Sequence, residues 1–143
     1  MGNICTDWVI PCNLNYFDLF GAFEQLPFID WRQVVNNIEE GDNVYIYVGR
    51  PIQAVVFKCS VLRTNIPVEE MDASDESFNR EENPEPSEPY WRYMRLKPVG
   101  RFEADQITLR KLHEAGMKGN IQGQWRVDAC MLEVIRSAKL LNV

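Results

Sequence analysis

Histidine is almost missing from this sequence. His113 is the only one in 143 residues. Ser-His-Asp and Cys-His catalysis both need an imidazole, so either would have to run through His113. That residue sits in a helix-like stretch, Leu112-His113-Glu114, where an ordinary surface role fits better. Cysteines are few and scattered: Cys5, Cys12, Cys59 and Cys130 form no Cys-x-x-Cys pair. Zinc wants clustered Cys and His ligands, so no metal and no cofactor is expected. The cysteines read as buried or free thiols of a cytoplasmic protein. No apolar run approaches the roughly 18 residues of a membrane span, and the first residues lack the basic and apolar parts of a signal peptide. Gly2 with Thr6 meets the loose pattern for N-myristoylation, but Asp7 and Trp8 read as the entry to a strand, and the modification is not expected. The chain has no Gly-x-x-x-x-Gly-Lys-Ser/Thr phosphate loop and no Gly-x-Ser-x-Gly elbow. Glu39-Glu40 and Glu69-Glu70 lie beside a turn or in an acidic stretch, where solvation explains them better than acid–base work. These absences point to a protein that is not an enzyme and has no membrane partner.

What is present suits one folded unit. The length fits a single domain covering 1–143, long enough to bury a core without disulfides or metal. Apolar residues make up 45% and charged residues 25%, as in ordinary globular proteins. The net charge of −6 is unevenly placed. Residues 69–88 hold nine acids against one base, Arg80, whereas the rest of the chain has 14 bases against 12 acids. The body is thus close to neutral, with a basic C-terminal half that permits nucleic-acid binding without demanding it. Four prolines and nine of the 21 acidic residues fall within 67–89. Such a composition packs poorly and reads as an acidic mobile loop.

Local patterns give the elements. Residues 8–11 read as a short strand ending at Pro11. Residues 19–26 read as a helix capped by Asp18, with Leu19, Phe23 and Leu26 on one face. Residues 29–33 look extended. Gly41-Asp42 is a turn, and 43–48 alternate strictly: Val44, Ile46 and Val48 one way, Tyr45 and Tyr47 the other. With 52–66 this run predicts an antiparallel hairpin. Residues 91–97 form a further strand. Thr108 caps a helix that Gly116 stops, and Asp128 caps a last helix running to about Leu140. Its inner side is expected to hold Leu132, Ile135 and the Lys139 stem, widened by Met131, Val134 and Ala138.

Three segments carry aromatic or amide groups that packing alone does not require: 8–13, 30–33 with 45–49, and 119–126. Asn13, Asn120 and Gln122 offer paired donors and acceptors suited to the edge of a base. Trp8, Trp31, Tyr45 and Tyr47 offer flat faces, and base–aromatic stacking is worth about 1–3 kcal/mol per base. Arg32, Lys118 and Arg126 could meet phosphates. Against this, Trp8 could be core, Tyr45 and Tyr47 an outer sheet face, and the glycine-bearing loop near 120 a connector.

The order of segments resembles the EVE-type domains of the PUA-like superfamily, which includes the YTH and ASCH domains. The resemblance spans nearly the whole chain. It rests on Trp8-Val-Ile-Pro-Cys-Asn13, Phe17-Asp18 with Ala22-Phe23, Ile29-Asp30-Trp31, Gly41-Asp42-Asn-Val44-Tyr45-Ile46-Tyr47-Val48-Gly49, and Lys118-Gly119-Asn120-Ile121-Gln122-Gly123 followed by Arg126-Val127. It is similar to small bacterial EVE-like proteins, some of them fused to nucleases. The resemblance implies an α+β, PUA-like fold: a curved, mostly antiparallel β-barrel flanked by helices. It also implies a non-catalytic module that recognises a (modified) base of DNA or RNA flipped into an aromatic pocket. By position, Trp8, Asn13, Trp31, Tyr47, Asn120 and Gln122 are the pocket residues, while Arg32, Lys118 and Arg126 stay the phosphate contacts that their charge suggests. Any nuclease or restriction component would be a separate chain. Two features depart from the pattern: the acidic insertion would repel phosphate beside the groove, and the pI near 4.8 is low for a nucleic-acid binder. The alternatives are a small-molecule or nucleotide sensor using the same pocket, and a protein-interaction domain using the acidic loop.

Overall fold

The computed structural model describes residues 4–143; Gly2, weighed above as an acylation site, lies outside them. Six strands form one mixed sheet in the order β2-β5-β4-β3-β1-β6. They are β1 (Asp7–Cys12), β2 (Ile29–Gln33), β3 (Asn43–Val48), β4 (Ala54–Pro67), β5 (Arg92–Arg101) and β6 (Trp125–Arg126). Three helices accompany them: α1 (Leu19–Gln25), α2 (Leu109–Glu114) and α3 (Ala129–Ser137). The architecture is α+β, a curled and mostly antiparallel sheet with flanking helices, as expected. The exception is β1, which runs parallel to β3 with Trp8 opposite Val44 and Pro11 opposite Tyr47.

The caps form where the sequence put them. Asp18 accepts from Gly21 N, Thr108 from Lys111 N and Asp128 from Met131 N. Gly116 adopts a φ of 118°, a backbone state that L side chains avoid, and so ends α2. Helix α3 stops at Ser137, short of the expected Leu140. The chain leaves the helix there to bridge β5, with Leu141 and Arg101 exchanging backbone hydrogen bonds of 2.7 and 2.9 Å. The buried residues of α3 are Met131 and Ile135. Leu132 is only half-buried and Lys139 is exposed, so the inner face is turned by about one residue from the expected one.

Both faces of the sheet are covered. Trp8, Ile10, Cys12, Val44, Ile46 and Val48 point to one side, into a core closed by Leu19 and Ala22 of α1. Val9, Tyr45, Tyr47 and Val55 point to the other, where Leu112, Met117, Ile121, Met131 and Ile135 cover them. Each large apolar side chain so buried contributes about 1.5–3 kcal/mol. The second layer corrects the reading of Tyr45 and Tyr47 as an outer face: α2 and α3 lie over them.

Asp42, 4% exposed, holds the start of the parallel pair. Its carboxylate accepts from Thr6 N at 3.0 Å, Glu39 N at 2.9 Å and the Trp8 indole at 2.9 Å. The two ends of the sheet also approach one another. Just before β6, the Gln124 side chain bonds to the backbone of Arg32 and Val34 around the end of β2.

The acidic segment is tied to the body at several points. It carries 3-10 turns at Val68–Glu70 and Glu76–Phe78. Phe78 packs on the first core, Asp72 N donates to Asp30, and Arg80 donates to the Leu14 carbonyl. Residues 81–87 are exposed throughout.

Candidate functional site

Strands β1 and β3 run side by side and end side by side, and Gly49 N donates to the Cys12 carbonyl at 3.2 Å across their exits. At these ends lies a cavity of about 430 Å³, lined by Pro11, Cys12, Asn13, Asn15, Tyr47, Gly49, Arg50, Asn120, Ile121 and Gln122. Small-molecule sites commonly span roughly 300–1,000 Å³. Four of the six residues expected at a pocket, Asn13, Tyr47, Asn120 and Gln122, therefore line one space. They come from β3, from the turn after β1 and from a loop more than 70 residues further on.

Each is held locally. Tyr47 is fixed by the pleat of a central strand and is 2% exposed. Asn13 closes a small turn in which its Oδ1 accepts from Asn15 N at 2.9 Å. Asn120 Oδ1 accepts from Ile121 N at 2.9 Å. The 117–123 loop is anchored by Ile121 in the second core, by the His113 ring against the Gly119 carbonyl, and by Gly119 at a φ of 76°. His113 thus positions the loop.

The Tyr47 hydroxyl is buried and has no hydrogen-bond partner among the described residues. Burial raises its pKa, an effect that the Arg50 charge partly offsets. The phenol therefore stays protonated near neutral pH and able to donate. A buried hydroxyl left unpaired costs about 1–3 kcal/mol, so a ligand that reaches it gains what the folded chain leaves unmade. Burial pushes the Cys12 thiol up to about 12. It lines the cavity as a thiol and offers no thiolate nucleophile near neutral pH.

Trp8 and Trp31 are placed elsewhere. Trp8 is 3% exposed, in the first core, and does not line the cavity. Alternation along β1 turns it toward α1, and Asp42 satisfies its indole, so its faces are packed rather than offered to a ligand. Trp31, half-buried on β2, meets Phe17 edge-on with ring centroids 5.3 Å apart. It lines a smaller hollow of about 270 Å³ with Asn13, Tyr16, Phe17, Asn79 and Glu81. Asn13 belongs to both hollows, so Trp31 is a neighbour of the cavity rather than a wall of it.

The three basic residues diverge. Arg32 stacks 3.7 Å above the Trp91 ring, inside an acidic groove of about 750 Å³ that also includes Asp75, Glu76, Glu81 and Glu85. Lys118 is exposed, two residues before Asn120. Arg126 is exposed on β6, with its guanidinium 5.4 Å from the Trp8 ring centroid.

No protein-family model matches the chain, and no curated protein sequence does. Solved structures do match. An ASCH structure from Zymomonas mobilis superposes with a TM-score of 0.64 at 11% identity, over 96% of this chain and 99% of that one. Human THYN1 in complex with DNA containing 5-methylcytosine gives 0.63 at 13% identity, over 92% and 96%. A hypothetical protein from Leishmania major gives 0.61 at 17%, over 93% of each. The fold is PUA-like. At these identities the likeness carries the architecture and not the activity.

Within this PUA-like chain three residues of the surroundings escaped the sequence reading. Arg50 lines the cavity; its signal was its place directly after the alternating run and Gly49. Tyr16 stands beside Trp31 and Asn13, and Trp91 under Arg32. Neither had a local signal, because only the packing of distant segments brings them to Trp31 and Arg32.

Proposed function

We propose that this PUA-like domain is a non-catalytic, cytoplasmic binding module that takes a base of DNA or RNA, modified or not, into the cavity at the ends of β1 and β3. One observation carries the reading: Tyr47, whose buried hydroxyl has no partner among the described residues, lines a space together with Asn13, Asn120 and Gln122. Side chains of this kind read base edges. Trp31, next to Asn13, supplies a ring for the flipped base or its neighbour. Arg50 lines the cavity, Lys118 is exposed two residues before Asn120 and Arg126 lies on β6, so all three are assigned to phosphates; Arg32, stacked in the acidic groove, contributes less. The likeness to a protein solved with 5-methylcytosine DNA supports a nucleic-acid ligand. A nuclease or restriction component would act as a separate partner.

Titration with single- and double-stranded oligonucleotides, modified and unmodified, at two salt concentrations tests this. Binding that weakens with salt, as phosphate contacts require, is the expected result. Stabilisation by free nucleosides without oligonucleotide affinity would replace this reading with a nucleotide sensor.

A further inference from the structure

The acidic segment is fastened beside the cavity. Residues 78–80 run antiparallel to 16–18. Asp18 N donates to the Phe78 carbonyl and Arg80 N to the Tyr16 carbonyl, both at 2.8 Å, and Phe17 bridges Asn79. The Arg80 guanidinium adds a bond to the Leu14 carbonyl at 2.8 Å and an ion pair with Asp18 at 3.5 Å. These partners overlap and follow the turn that carries Asn13 and Asn15, both of which line the cavity. The next residue, Glu81, therefore lines the hollow that Asn13 shares with Trp31. Glu81 and Glu82 also line a shallow space with Asn15 and Tyr16. Glu85 follows in the groove beside Trp31.

These carboxylates are uncompensated. Arg80, the one base of residues 69–88, is spent on Leu14 and Asp18. Glu81, Glu82 and Glu85 are exposed and form no ion pair among the described residues. A freely swinging chain would carry such charges away from an incoming anion, whereas a fastened one holds them in place. Like charges repel across about 8 Å at physiological ionic strength. A polynucleotide whose base enters the cavity brings flanking phosphates to its rim, and the rim at Asn13 and Asn15 is where these carboxylates stand. We propose that residues 81–85 are a built-in electrostatic brake, which lowers the affinity of the cavity for a polynucleotide and leaves its affinity for an uncharged nucleoside unaltered. The inference rests on the base-binding reading above and adds the regulation of that site.

The test combines Glu81→Gln, Glu82→Gln and Glu85→Gln, which keep side-chain size and remove only charge. A control combines Glu103→Gln, Asp105→Asn and Glu133→Gln, three exposed acids that line none of these spaces and change the net charge equally. Affinity for a single-stranded oligonucleotide is expected to rise about tenfold at low salt in the first variant, a gain that shrinks as salt screens the charges. The control should stay within about twofold of the parent, because its charges lie outside the screening distance. Free ribonucleosides should bind all three proteins alike. An oligonucleotide held by the first variant alone would support the brake in its strongest form. Equal oligonucleotide affinity in parent and first variant, or an equal gain in the control, overturns the inference and leaves base binding standing. A nucleoside affinity that rises together with that of the oligonucleotide overturns it too, since the carboxylates would then act on the base itself. Oligonucleotides held by none of the proteins overturn the brake together with the nucleic-acid reading.

Discussion

The side-chain amide of Gln124 donates to the Arg32 carbonyl at 2.8 Å, across 92 residues of sequence, and accepts from Val34 N at 2.8 Å. It stands in for a strand pair between the two ends of the curled sheet. It also fixes the end of the loop that carries Asn120 and Gln122. Two neutral hydrogen bonds at a partly exposed position contribute about 1–2 kcal/mol together. Gln124→Ala should lose that much in urea denaturation and should speed hydrogen exchange of the Val34 amide. Unchanged exchange at Val34 would mean the sheet ends are held by something else.

Tyr47→Phe separates folding from binding. The hydroxyl has no partner in the folded chain, so removing it should leave stability unchanged or raise it by up to about 1 kcal/mol. Ligand affinity should drop roughly tenfold, as for loss of one buried hydrogen bond. A destabilised variant with intact affinity would place the hydroxyl in the scaffold.

Trp8 and Asp42 should behave in the opposite sense. Asp42→Ala strands the Trp8 indole and the Thr6 and Glu39 N–H groups, and a loss of about 3 kcal/mol or more is expected. Trp8→Phe keeps most of the ring but breaks the indole bond, at a cost of about 1–3 kcal/mol. Both variants, where folded, should bind as the parent does. A selective loss of binding in folded Trp8→Phe would return Trp8 to the site.

Asp75 sets a pH dependence. Burial, with the nearby charges of Asp30, Asp72 and Glu76, pushes its carboxyl up from 3.8 to about 6. The folded chain therefore holds this proton more tightly than the unfolded chain does. Stability from this group is greatest below the unfolded value and declines as pH rises through about 4 to 6. Asp75→Asn should be more stable than the parent at pH 7, with the gap closing as pH falls toward 4. Thermal melts at both pH values check the sign, and a gap that widens in acid would contradict it.

What the sequence made legible follows from how local each cause is. Asp18, Thr108 and Asp128 cap the helices through bonds that span three residues, so pattern alone found them. The alternation at 43–48 located β3, and Gly116 marked the end of α2. Tyr47, Asn13, Asn120 and Gln122 were singled out by their aromatic and amide groups, and the order of motifs then brought them together as one pocket. The misreadings concern long-range packing. Burial of Tyr45 and Tyr47 depends on α2 and α3, more than 60 residues away. The parallel pairing of β1 with β3 decides which way Trp8 points. The fastenings of the acidic segment, Asp72 to Asp30 and Arg80 to Leu14, join residues 42 and 66 positions apart, where composition has no voice.

The most direct test follows the side-chain NH₂ resonances of Asn13, Asn120 and Gln122 by NMR during titration with an oligonucleotide that binds. The account predicts that these three signals shift together, saturate with the binding curve, and show contacts between the Tyr47 ring and one base. Shifts confined to Trp31, Trp91 and the acidic groove, with these three amides unmoved, would contradict it.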